Sequence, residues 1–581
     1  MKKYTADFET TTKADDCRVW AYAISEIGNP DYFVYGNSLD DFMEICADPT
    51  HNAVYYFHNL KFDGEFIIYW LLKNGFTYIQ DKKERADNTF TTLISDMGQF
   101  YSIEVYFEVR DKKHINKVKF LDSLKILNFS VEQIAKDFDL PISKLKIDYK
   151  ADRPIGHQLT EEEVAYIRND VEIMSRALQI MFDEGLTKMT IASDALADYK
   201  TTLPNFKQYF PILPNDVDAD IRQSYKGGFT YLNPIYRGKE TGSGIVFDAN
   251  SMYPARMYYD LLPYGEPVFF EGRYEQDPLY PLYVQQFTCT FKLKEGKIPS
   301  IQIKHNRFFI ANEYIESSDG LPVTLTLTSV DLGLFLENYD IIGKIEWGNG
   351  WKFKAMNGLF NDYIDKWTNK KIQAKKEGNS ALYRISKLCL NSLYGRFGLN
   401  GNSRKKHPVL NHDESAIKYI IGEVEQRDTV YIPIATFITS YARANIVRAS
   451  EQIREYSMKK YGFDAYVYSD TDSIHCLLNA DDVDELSKTM DIDDYRLGAW
   501  KLESTYKRGK YLRQKCYIEL SEDDELNVTV AGLPKKLGKY INFDNFTYGF
   551  TTEGMNIEDP KLTYKRVEGG VLLVGTDFTI K

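Results

Sequence analysis

The chain has 581 residues, of which 43% are hydrophobic and 27% charged, and its formal net charge is −12. This length exceeds one ordinary domain, so we predict three or more subdomains. The N-terminus MKKYTADFETTT lacks the apolar core of a signal peptide, and apolar runs such as FIIYWLL are too short to span a bilayer, which favours the cytoplasm and no membrane partner. Six cysteines without CxxC spacing predict free thiols rather than disulfides or a zinc site.

The negative net charge is distributed unevenly along the chain. Basic residues cluster at 367–378, 402–407 and 501–517, while acidic residues gather at 481–494 and 519–525. A solvated face explains any one basic cluster. The last cluster interleaves tyrosines with six basic residues, a pattern typical of stacking on bases and of contacts with a phosphate backbone. A nucleic-acid partner is therefore compatible with the acidic total.

Residues 1 to about 185 alternate strand-like and helical segments, which predicts an α/β unit. Its last helix is marked by Thr160 and Glu163, which fit a capping box, and by apolar residues at helical spacing. A proline-rich stretch at 201–216 then precedes a strand-rich region that opens at YKGG. The chain is thus predicted to be a multidomain protein of α/β and α+β type.

Four carboxylates of the first unit form a candidate metal site. Asp7 and Glu9 in DFET lie two apart on a predicted strand, hence on one face. Asp63 and Asp170 would complete a cluster that holds two metal ions and activates water for phosphodiester cleavage. Tyr166, four residues before Asp170 on the same helix face, would position that water. Taken singly, each signal also fits a solvated strand end or a surface helix.

A second set of carboxylates lies in the C-terminal half. The stretch YSDTDS places Asp470 and Asp472 at a predicted hairpin tip, and Asp248 in FDANSMYP would face them from the end of the strand GIVF. Hard cations prefer such oxygen ligands, and two of them serve phosphoryl transfer. Asp248 and Asp472 are the predicted metal ligands, and Asp470 would bind the second metal directly or through water. An isolated DxD is more often a solvated turn.

A predicted helix at KLCLNSLYG carries Lys387, Asn391 and Tyr394 on one stripe. Lysine suits a phosphate as a point charge, and tyrosine offers a stacking surface for an incoming base. In isolation, the stripe also fits an amphipathic surface helix.

Taken together, DxxSMYP, KxxxNSLYG and YSDTDS resemble, in the right order, the three polymerase motifs of family B DNA polymerases. DFET, NLKFD and YIRND likewise resemble the three exonuclease motifs of proofreading DNA polymerases. YKGG, TSYAR and KCY resemble motifs of the protein-primed bacteriophage branch, whose members start replication from a terminal protein. The resemblance implies a ribonuclease-H-like exonuclease domain followed by a right-hand polymerase with palm, fingers, thumb and two insertions.

The resemblance also implies how the chain is divided. The exonuclease domain would span 1–188, the palm 189–261 and 432–530, the fingers 361–396 and the thumb 531–581. The first insertion, 262–360, would contact the terminal protein. The second insertion, 397–431, would help to encircle DNA for processivity and strand displacement, and its polar, Gly- and Asn-rich start is typical of an extended β-hairpin loop.

Residue roles follow from the same resemblance. In the exonuclease domain, Lys144 would assist catalysis, with Lys146 as a competitor, and the frayed strand would be held by Thr10, Asn59, Phe62, Ser123, Leu124 and Tyr149. For the incoming dNTP, Tyr253 would exclude a 2′-hydroxyl, and the phosphates and nascent pair would be contacted by Lys371, Lys387, Asn391 and Tyr394. The template would contact Tyr225, Gly227, Gly228, Thr439 and Arg443, and the primer end Lys515 and Tyr517.

The resulting hypothesis is a DNA-directed DNA polymerase with a 3′–5′ exonuclease that replicates linear viral DNA in the host cytoplasm. Its partners would be template and primer DNA, dNTPs and a terminal protein, with which it would form a heterodimer at initiation while being monomeric otherwise. Each active site would hold two Mg²⁺ ions, with Mn²⁺ as a substitute. The alternatives are conventional nucleic-acid priming, a nuclease whose C-terminal region only binds DNA, and a non-enzymatic assembly protein.

Overall fold

The computed structural model describes residues 1–49, 52–303 and 313–581, so a part of the predicted first insertion, 304–312, lies outside the described residues. Within the described ranges, no helix is both long enough and apolar enough to cross a membrane. All six cysteines are buried free thiols, as predicted.

The N-terminal unit is a mixed sheet with helices on both faces. Its strands are β1 (Lys2–Thr10), β2 (Val19–Glu26), β3 (Asn29–Gly36), β4 (Ala53–Phe57), β5 (Thr77–Tyr78), β6 (Thr89–Ile94), β7 (Phe100–Val109) and β8 (Ile115–Asp122), and its helices are α1 (Leu39–Ala47), α2 (Leu60–Lys73), α3 (Val131–Asp137) and α4 (Glu161–Asp183). The strand order is β3-β2-β1-β4-β8-β7-β6-β5, with β1, β4 and β8 parallel. Along β2, Ala21 and Ala23 pack with α4 while Tyr22 and Ile24 pack with α1, because strand side chains alternate between faces.

Helix α4 begins as the sequence predicts. The Thr160 hydroxyl accepts a hydrogen bond from the Glu163 N–H, and the Glu163 carboxylate accepts one from the Thr160 N–H. This reciprocal pair satisfies N–H groups that a helix start leaves without intrahelical partners. The helix then presents Tyr166 and Asp170 on its buried side.

Short helices connect this unit to a second sheet. They are α5 (Ile191–Thr202), α6 (Phe206–Tyr209) and α7 (Asn215–Arg222), and they are followed by β9 (Thr230–Leu232), β10 (Glu240–Thr241), β11 (Gly244–Ala249) and α8 (Met252–Tyr259). The proline-rich stretch thus separates two differently built parts of the chain, as the composition indicates.

The range predicted as the first insertion contains its own antiparallel sheet. Its elements are β12 (Leu262–Phe270), β13 (Leu282–Leu293), β14 (Val323–Thr328), α9 (Ser329–Asn338) and β15 (Tyr339–Met356). The four strands are ordered β12-β15-β13-β14. Phe287, Phe291 and Phe335 form part of a core that belongs to this sheet and α9.

Two helices and a pair of ribbons follow. Helices α10 (Asn361–Glu377) and α11 (Ser380–Phe397) are joined at Gly378, whose φ of 69° is a left-handed conformation that glycine adopts without strain. The ribbons are formed by β16 (Asn402–Ser403), β17 (Lys406–Leu410), β18 (Ile417–Ile421) and β19 (Glu425–Gln426), paired as β16-β19 and β17-β18. The predicted hairpin of the second insertion is therefore present.

The second sheet is completed by the C-terminal third of the chain. Its elements are α12 (Ile432–Tyr461), β20 (Tyr466–Asp470), β21 (Ser473–Cys476), α13 (Val483–Leu486), β22 (Trp500–Arg513), β23 (Cys516–Ser521) and β24 (Leu526–Val530). The order is β24-β23-β22-β11-β21-β20-β9, with β10 on β22. Helix α12 packs against the sheet through Ile446, Val447 and Ile453.

The chain ends in a hairpin of β25 (Lys561–Val567) and β26 (Gly570–Thr576). Val571 and Leu572 of this hairpin join the hydrophobic core of the N-terminal unit. The two ends of the sequence are therefore packed together. The multidomain α/β and α+β class is confirmed, while the individual domain boundaries stay predictions.

Candidate active sites

Three carboxylates gather near the C-terminal end of strand β1 in the N-terminal sheet. Ligand oxygens of Asp7, Glu9 and Asp170 all lie within 4.8 Å of one another. Strand β1 presents the first two on one face, and helix α4 supplies the third. Asp63 on α2 lies beside this trio, where its carboxylate accepts a hydrogen bond from the Phe8 N–H at 3.3 Å. The predicted cluster of four is thus a tight trio with a fourth acid next to it.

The electrostatics of this trio favour a cation. Burial raises the pKa of the Asp7 carboxyl to about 7, with a further contribution from Asp170, and burial and neighbouring acids raise the pKa values of Glu9 and Asp63 well above their usual range. Asp170 Oδ1 is buried and has no hydrogen-bond partner in the structure described. Crowded carboxylates with an unpartnered oxygen match the hard-oxygen donor set of Mg²⁺ or Mn²⁺.

Lys144, and not its competitor Lys146, lies at this site. Its Nζ is 2.7 Å from Asp170 Oδ2, whereas Lys146 is exposed. The same Nζ lies 5.7 Å from the ring centroid of Tyr166. The Tyr166 hydroxyl is 2.6 Å from that of Tyr149, a half-exposed residue that thereby links the buried site to the surface.

The residues predicted to hold the frayed strand fall into two groups. Asn59, Phe62 and Tyr149 are partly accessible beside the trio, as are Thr10 and Leu124. Ser123 is fully buried, and its hydroxyl donates to the Phe57 carbonyl at 3.0 Å and lies 3.1 Å from His58 Nδ1. The side chain of Ser123 is therefore engaged with protein groups and positions the loop after β8.

The stretch YSDTDS forms the predicted hairpin tip. Strands β20 and β21 pair Asp470 with Ser473, and Thr471 at the tip has a φ of 61°. The Ala249 N–H donates to the Asp472 carbonyl at 2.8 Å, which ties the tip to the end of β11. Asp248 on β11 stands opposite Ser473 in the sheet. The tertiary structure therefore brings together the two stretches that carry Asp248 and Asp472.

Asp470 is turned toward a lysine rather than toward Asp248. Its carboxylate oxygens lie 2.8 and 3.1 Å from Lys515 Nζ, and it also accepts a hydrogen bond from the Tyr468 hydroxyl at 3.2 Å. Lys515 itself has a φ of 54°, and its N–H donates to the Tyr468 hydroxyl at 2.9 Å. Lys515 and Tyr517 are thus placed at the hairpin, with the Tyr517 ring centroid 5.2 Å from that of Tyr468.

The two predicted ligands of the second site share an acidic environment. Burial raises the pKa of the Asp248 carboxyl to about 7, and the charges of Glu503 and Asp472 add to this. Burial likewise raises the pKa of Asp472, with contributions from Asp470 and Glu503. These carboxylates also fit divalent cations. Glu503, at an irregularity in the pairing of β22 with β11, is an acid that the sequence motifs did not identify.

Basic residues line the other side of this site. On α11, Lys387 and Asn391 are exposed and Tyr394 is half-buried. The pKa of Lys371 is lowered by burial and by the charges of Lys387 and Lys501, so these three ammonium groups influence one another. Lys501, which sequence reasoning missed, also lies 3.5 Å from Asp248 Oδ2.

Tyr253 stacks on Tyr394 between these acidic and basic groups. Their ring centroids are 4.0 Å apart with an interplanar angle of 27°. Gly228 of YKGG lies against the same place, since a Cβ on it would stand 2.9 Å from the Tyr253 hydroxyl and 2.8 Å from the Thr471 methyl group. The second glycine of YKGG is therefore required by close packing against the hairpin tip, and Tyr225 and Gly227 precede it in the same segment.

Arg443 and Thr439 of TSYAR are buried in α12. The Arg443 guanidinium is 2.5 Å from Asp331 Oδ2 and donates to the carbonyls of Lys226 and Gly227 at 2.8 and 2.7 Å. The Thr439 hydroxyl donates to the Ala435 carbonyl at 3.0 Å. Arg443 therefore positions the YKGG segment, whereas the Thr439 hydroxyl bonds within α12, and direct contact of either residue with DNA stays a prediction.

Tyr564 at the C-terminal hairpin is a further residue that no sequence signal identified. Its hydroxyl accepts a hydrogen bond from Asn59 Nδ2 at 3.1 Å, and its ring centroid lies 6.4 Å from that of Phe62. About 500 residues of chain separate these partners, so only the fold reveals the contact. Glu503 and Lys501 were within reach of sequence reasoning, because the basic cluster at 501–517 contains them.

Comparisons with known proteins agree with this geometry. The family of DNA polymerase type B, organellar and viral, matches residues 49–485. The DNA polymerase of Bacillus phage Nf is 46% identical, over 100% of both chains. The structure of Phi29 DNA polymerase complexed with primer-template DNA and incoming nucleotide substrates has a TM-score of 0.90 at 43% identity, over 100% of both chains. Phi29 DNA polymerase complexed with single-stranded DNA has a TM-score of 0.88 at 42% identity, with the same coverage.

The fold is that of a DNA polymerase. More narrowly, the chain belongs to the family of DNA polymerase type B, organellar and viral, and is similar over its full length to phage enzymes. The predicted enzyme class is confirmed. The two alternatives, a nuclease whose C-terminal region only binds DNA and a non-enzymatic assembly protein, are wrong.

Proposed function

We propose that this DNA polymerase also carries a proofreading 3′–5′ exonuclease, and that it copies linear viral DNA processively, with strand displacement, from a terminal-protein primer. The observation that carries the exonuclease is the close trio of Asp7, Glu9 and Asp170, of which Glu9 and Asp170 are buried, in a unit separate from the polymerase hairpin. One chain with two separate sets of acids can run two phosphoryl-transfer reactions.

In the exonuclease site, the trio and Asp63 would hold two Mg²⁺ ions, with Mn²⁺ as a substitute. When bound, the ions would activate water and stabilise the leaving oxygen. Lys144 compensates the charge of Asp170, to which it lies at 2.7 Å. The pair of Tyr166 and Tyr149 would orient the attacking water through the Tyr166 hydroxyl, and Tyr149, Asn59 and Phe62 would hold the strand.

In the polymerase site, Asp248 and Asp472 would be the metal ligands. Asp470 would be a third acid, which forms an ion pair with Lys515. Lys371 and Lys387 would contact the triphosphate. Their positive charges repel each other, and a bound anion would offset this repulsion. Tyr253, stacked on Tyr394, would close the sugar pocket against a 2′-hydroxyl.

The larger activities rest on similarity and on the two extra units of the fold. Phi29 DNA polymerase, similar over 100% of this chain, is complexed with primer-template DNA and incoming nucleotides in one structure and with single-stranded DNA in another. We infer that this chain binds template, primer and dNTPs likewise, in the host cytoplasm and as a monomer once initiation is over. The separate sheet of 262–360 would dock the terminal protein, and the ribbons of 397–431 would help to encircle DNA.

Extension of a 5′-labelled primer on a template with Mg²⁺ tests the two sites. We expect elongation with all four dNTPs and degradation without them. Asp472→Asn should lose elongation and keep degradation, while Asp7→Ala should do the reverse. Degradation that survives Asp7→Ala would contradict the exonuclease assignment, and elongation that survives Asp472→Asn would contradict the polymerase assignment.

Protein priming is tested separately with a candidate terminal protein and one radioactive dNTP. Label should transfer to a Ser, Thr or Tyr hydroxyl of the partner, and Asp472→Asn should prevent this transfer. Efficient replication of linear ends without any labelled partner protein would instead support conventional nucleic-acid priming.

A further inference from the structure

Glu65 lies at a place where three parts of the chain meet. It belongs to α2 of the exonuclease unit, and its side chain is fully buried, with 0% exposure. Its two partners come from far along the sequence: Arg566 from the C-terminal hairpin β25-β26 and Tyr419 from the ribbon β17-β18. We call Glu65, Arg566 and Tyr419 the three-part junction.

Within the three-part junction, all three pairs of side chains are in contact. Arg566 Nε and Nη2 both donate to Glu65 Oε1, at 2.9 and 2.8 Å, while the Tyr419 hydroxyl donates to Glu65 Oε2 at 3.0 Å. The Arg566 guanidinium also stands 4.6 Å from the centroid of the Tyr419 ring. Each of the three side chains therefore contacts the other two, and removal of the Arg566 guanidinium would leave the buried Glu65 carboxylate without its countercharge.

Further contacts next to the three-part junction show that α2 packs against both the C-terminal hairpin and the β17-β18 ribbon. A Cβ at Gly570 would stand 2.4 Å from the Phe66 ring, so the C-terminal hairpin lies directly on α2. The tip of the β17-β18 ribbon is held by the same helix, because Lys73 Nζ is 3.2 Å from Glu414 Oε2 and the Tyr69 hydroxyl donates to the Glu414 carbonyl at 3.3 Å. Helix α2 thus contacts both the C-terminal hairpin and the β17-β18 ribbon.

The C-terminal hairpin brings one more residue to the exonuclease site. Tyr564 lies two residues before Arg566 on β25, hence on the same face of the strand. Its hydroxyl accepts a hydrogen bond from Asn59 Nδ2, and Lys61 Nζ stands 4.8 Å from its ring centroid. Asn59 caps the start of α2 and Asp63 lies two residues before Glu65, so the same helix carries one of the exonuclease acids and the three-part junction.

We propose that the three-part junction fastens the C-terminal hairpin to the exonuclease unit, and that it thereby sets how readily the 3′ end of a primer passes from the polymerase site to the exonuclease site. This inference rests on the proposed exonuclease. Glu65, Arg566 and Tyr419 are positioning residues: they act through Tyr564, which contacts Asn59 and Phe62. A loosened hairpin leaves both chemical centres intact and makes the transfer less frequent.

The test measures the balance between the two activities. On a primer-template, the dNTP concentration at which extension equals excision depends on how often the primer end is transferred. We expect Arg566→Gln to lower this concentration about fivefold and Tyr419→Phe about twofold. Extension of a short template at saturating dNTP, and cleavage of a free trinucleotide, should stay within about twofold of wild type.

Lys565→Gln is the matched control, since it removes the same charge from the neighbouring, exposed position of β25. Hydrogen exchange across 561–576 gives a readout that does not depend on activity, and it should speed up in Arg566→Gln but not in Lys565→Gln. The proposal is overturned if Arg566→Gln and Lys565→Gln have the same dNTP concentration at which extension equals excision and the same hydrogen-exchange rates across 561–576. If Arg566→Gln fails to fold, the test uses Tyr419→Phe instead. The proposal is then overturned if, in Tyr419→Phe, extension equals excision at the same dNTP concentration as in wild type.

The same experiment separates this proposal from the proposed function. Wild-type degradation of single-stranded DNA that disappears in Asp7→Ala establishes the exonuclease, whatever the junction variants do. If wild type shows no such degradation, the exonuclease assignment fails and the role of the three-part junction in transfer fails with it.

Discussion

The buried ion pair between Arg443 and Asp331 allows a quantitative prediction. Their side chains are only 3% and 9% exposed, and the guanidinium also holds the carbonyls of Lys226 and Gly227. Burial alone would raise the pKa of Asp331, yet the charge of Arg443 keeps that pKa below its usual value. Asp331→Asn removes the countercharge and leaves the guanidinium buried without compensation, which costs about 3 to 5 kcal/mol.

Calorimetry provides the assay, because separate units of a multidomain protein can unfold in separate transitions. For a cooperative unit of about 150 to 250 residues, this loss lowers the transition temperature by about 6 to 20 °C. The control is Glu337→Gln on the same helix α9, whose ion pair with Arg448 is about half exposed, so its loss costs about 1 kcal/mol or less. A shift for Asp331→Asn no larger than that of the control would refute the reasoning.

A second readout addresses whether Arg443 contacts DNA. The double variant Asp331→Leu with Arg443→Met removes both buried charges, which is far less costly than removing one. If the guanidinium serves only protein groups, the slope of log affinity for duplex DNA against log salt stays unchanged. Loss of a direct phosphate contact would reduce the magnitude of that slope by about 0.9.

Three further predictions concern the active sites. Lys387→Ala should raise the KM for dNTPs at least about tenfold with less effect on kcat, since one charge-assisted contact to phosphate contributes about 1.5 to 3 kcal/mol; steady-state kinetics that show no KM change would contradict this. Lys144→Met should slow degradation of single-stranded DNA about 100-fold, while Lys146→Met leaves it unchanged; equal rates for the two variants would show that the contact with Asp170 is dispensable. In EDTA, the Asp7 carboxyl has a pKa of about 7 in the folded protein, so between about pH 4 and pH 7 the folded state binds a proton that the unfolded state does not bind. The stability that this proton gives is fully present below about pH 4 and is lost as the pH rises to 7. Asp7→Asn should therefore flatten the fall of the unfolding free energy between pH 5 and 7, by up to about 1.4 kcal/mol per pH unit, and the fall of Tm with it, and Mg²⁺ should raise the wild-type Tm at pH 8; parallel Tm profiles for the two proteins would refute the assignment.

Local signals in the sequence determined the parts of each site that lie within one short stretch. The pair Asp7 and Glu9 follows from strand alternation, and the hairpin of Asp470 and Asp472 from two apolar runs around a polar turn. The capping box of Thr160 likewise appears as predicted. These features depend on hydrogen bonds and periodicities that span only a few residues, so composition and spacing are sufficient to recognise them.

Which distant groups meet, and which side chains remain accessible, depends on how the separate elements pack. Asp470 pairs with Lys515, and Arg443 is buried against Asp331, because the packing of separate elements sets the direction and burial of a side chain. Glu65 and Arg566 meet across about 500 residues of chain, and no local pattern encodes such a contact. Residue types and local spacing thus define the chemistry available to this polymerase, whereas the fold defines which of these groups share a site, since their energies depend on neighbours that three-dimensional packing supplies.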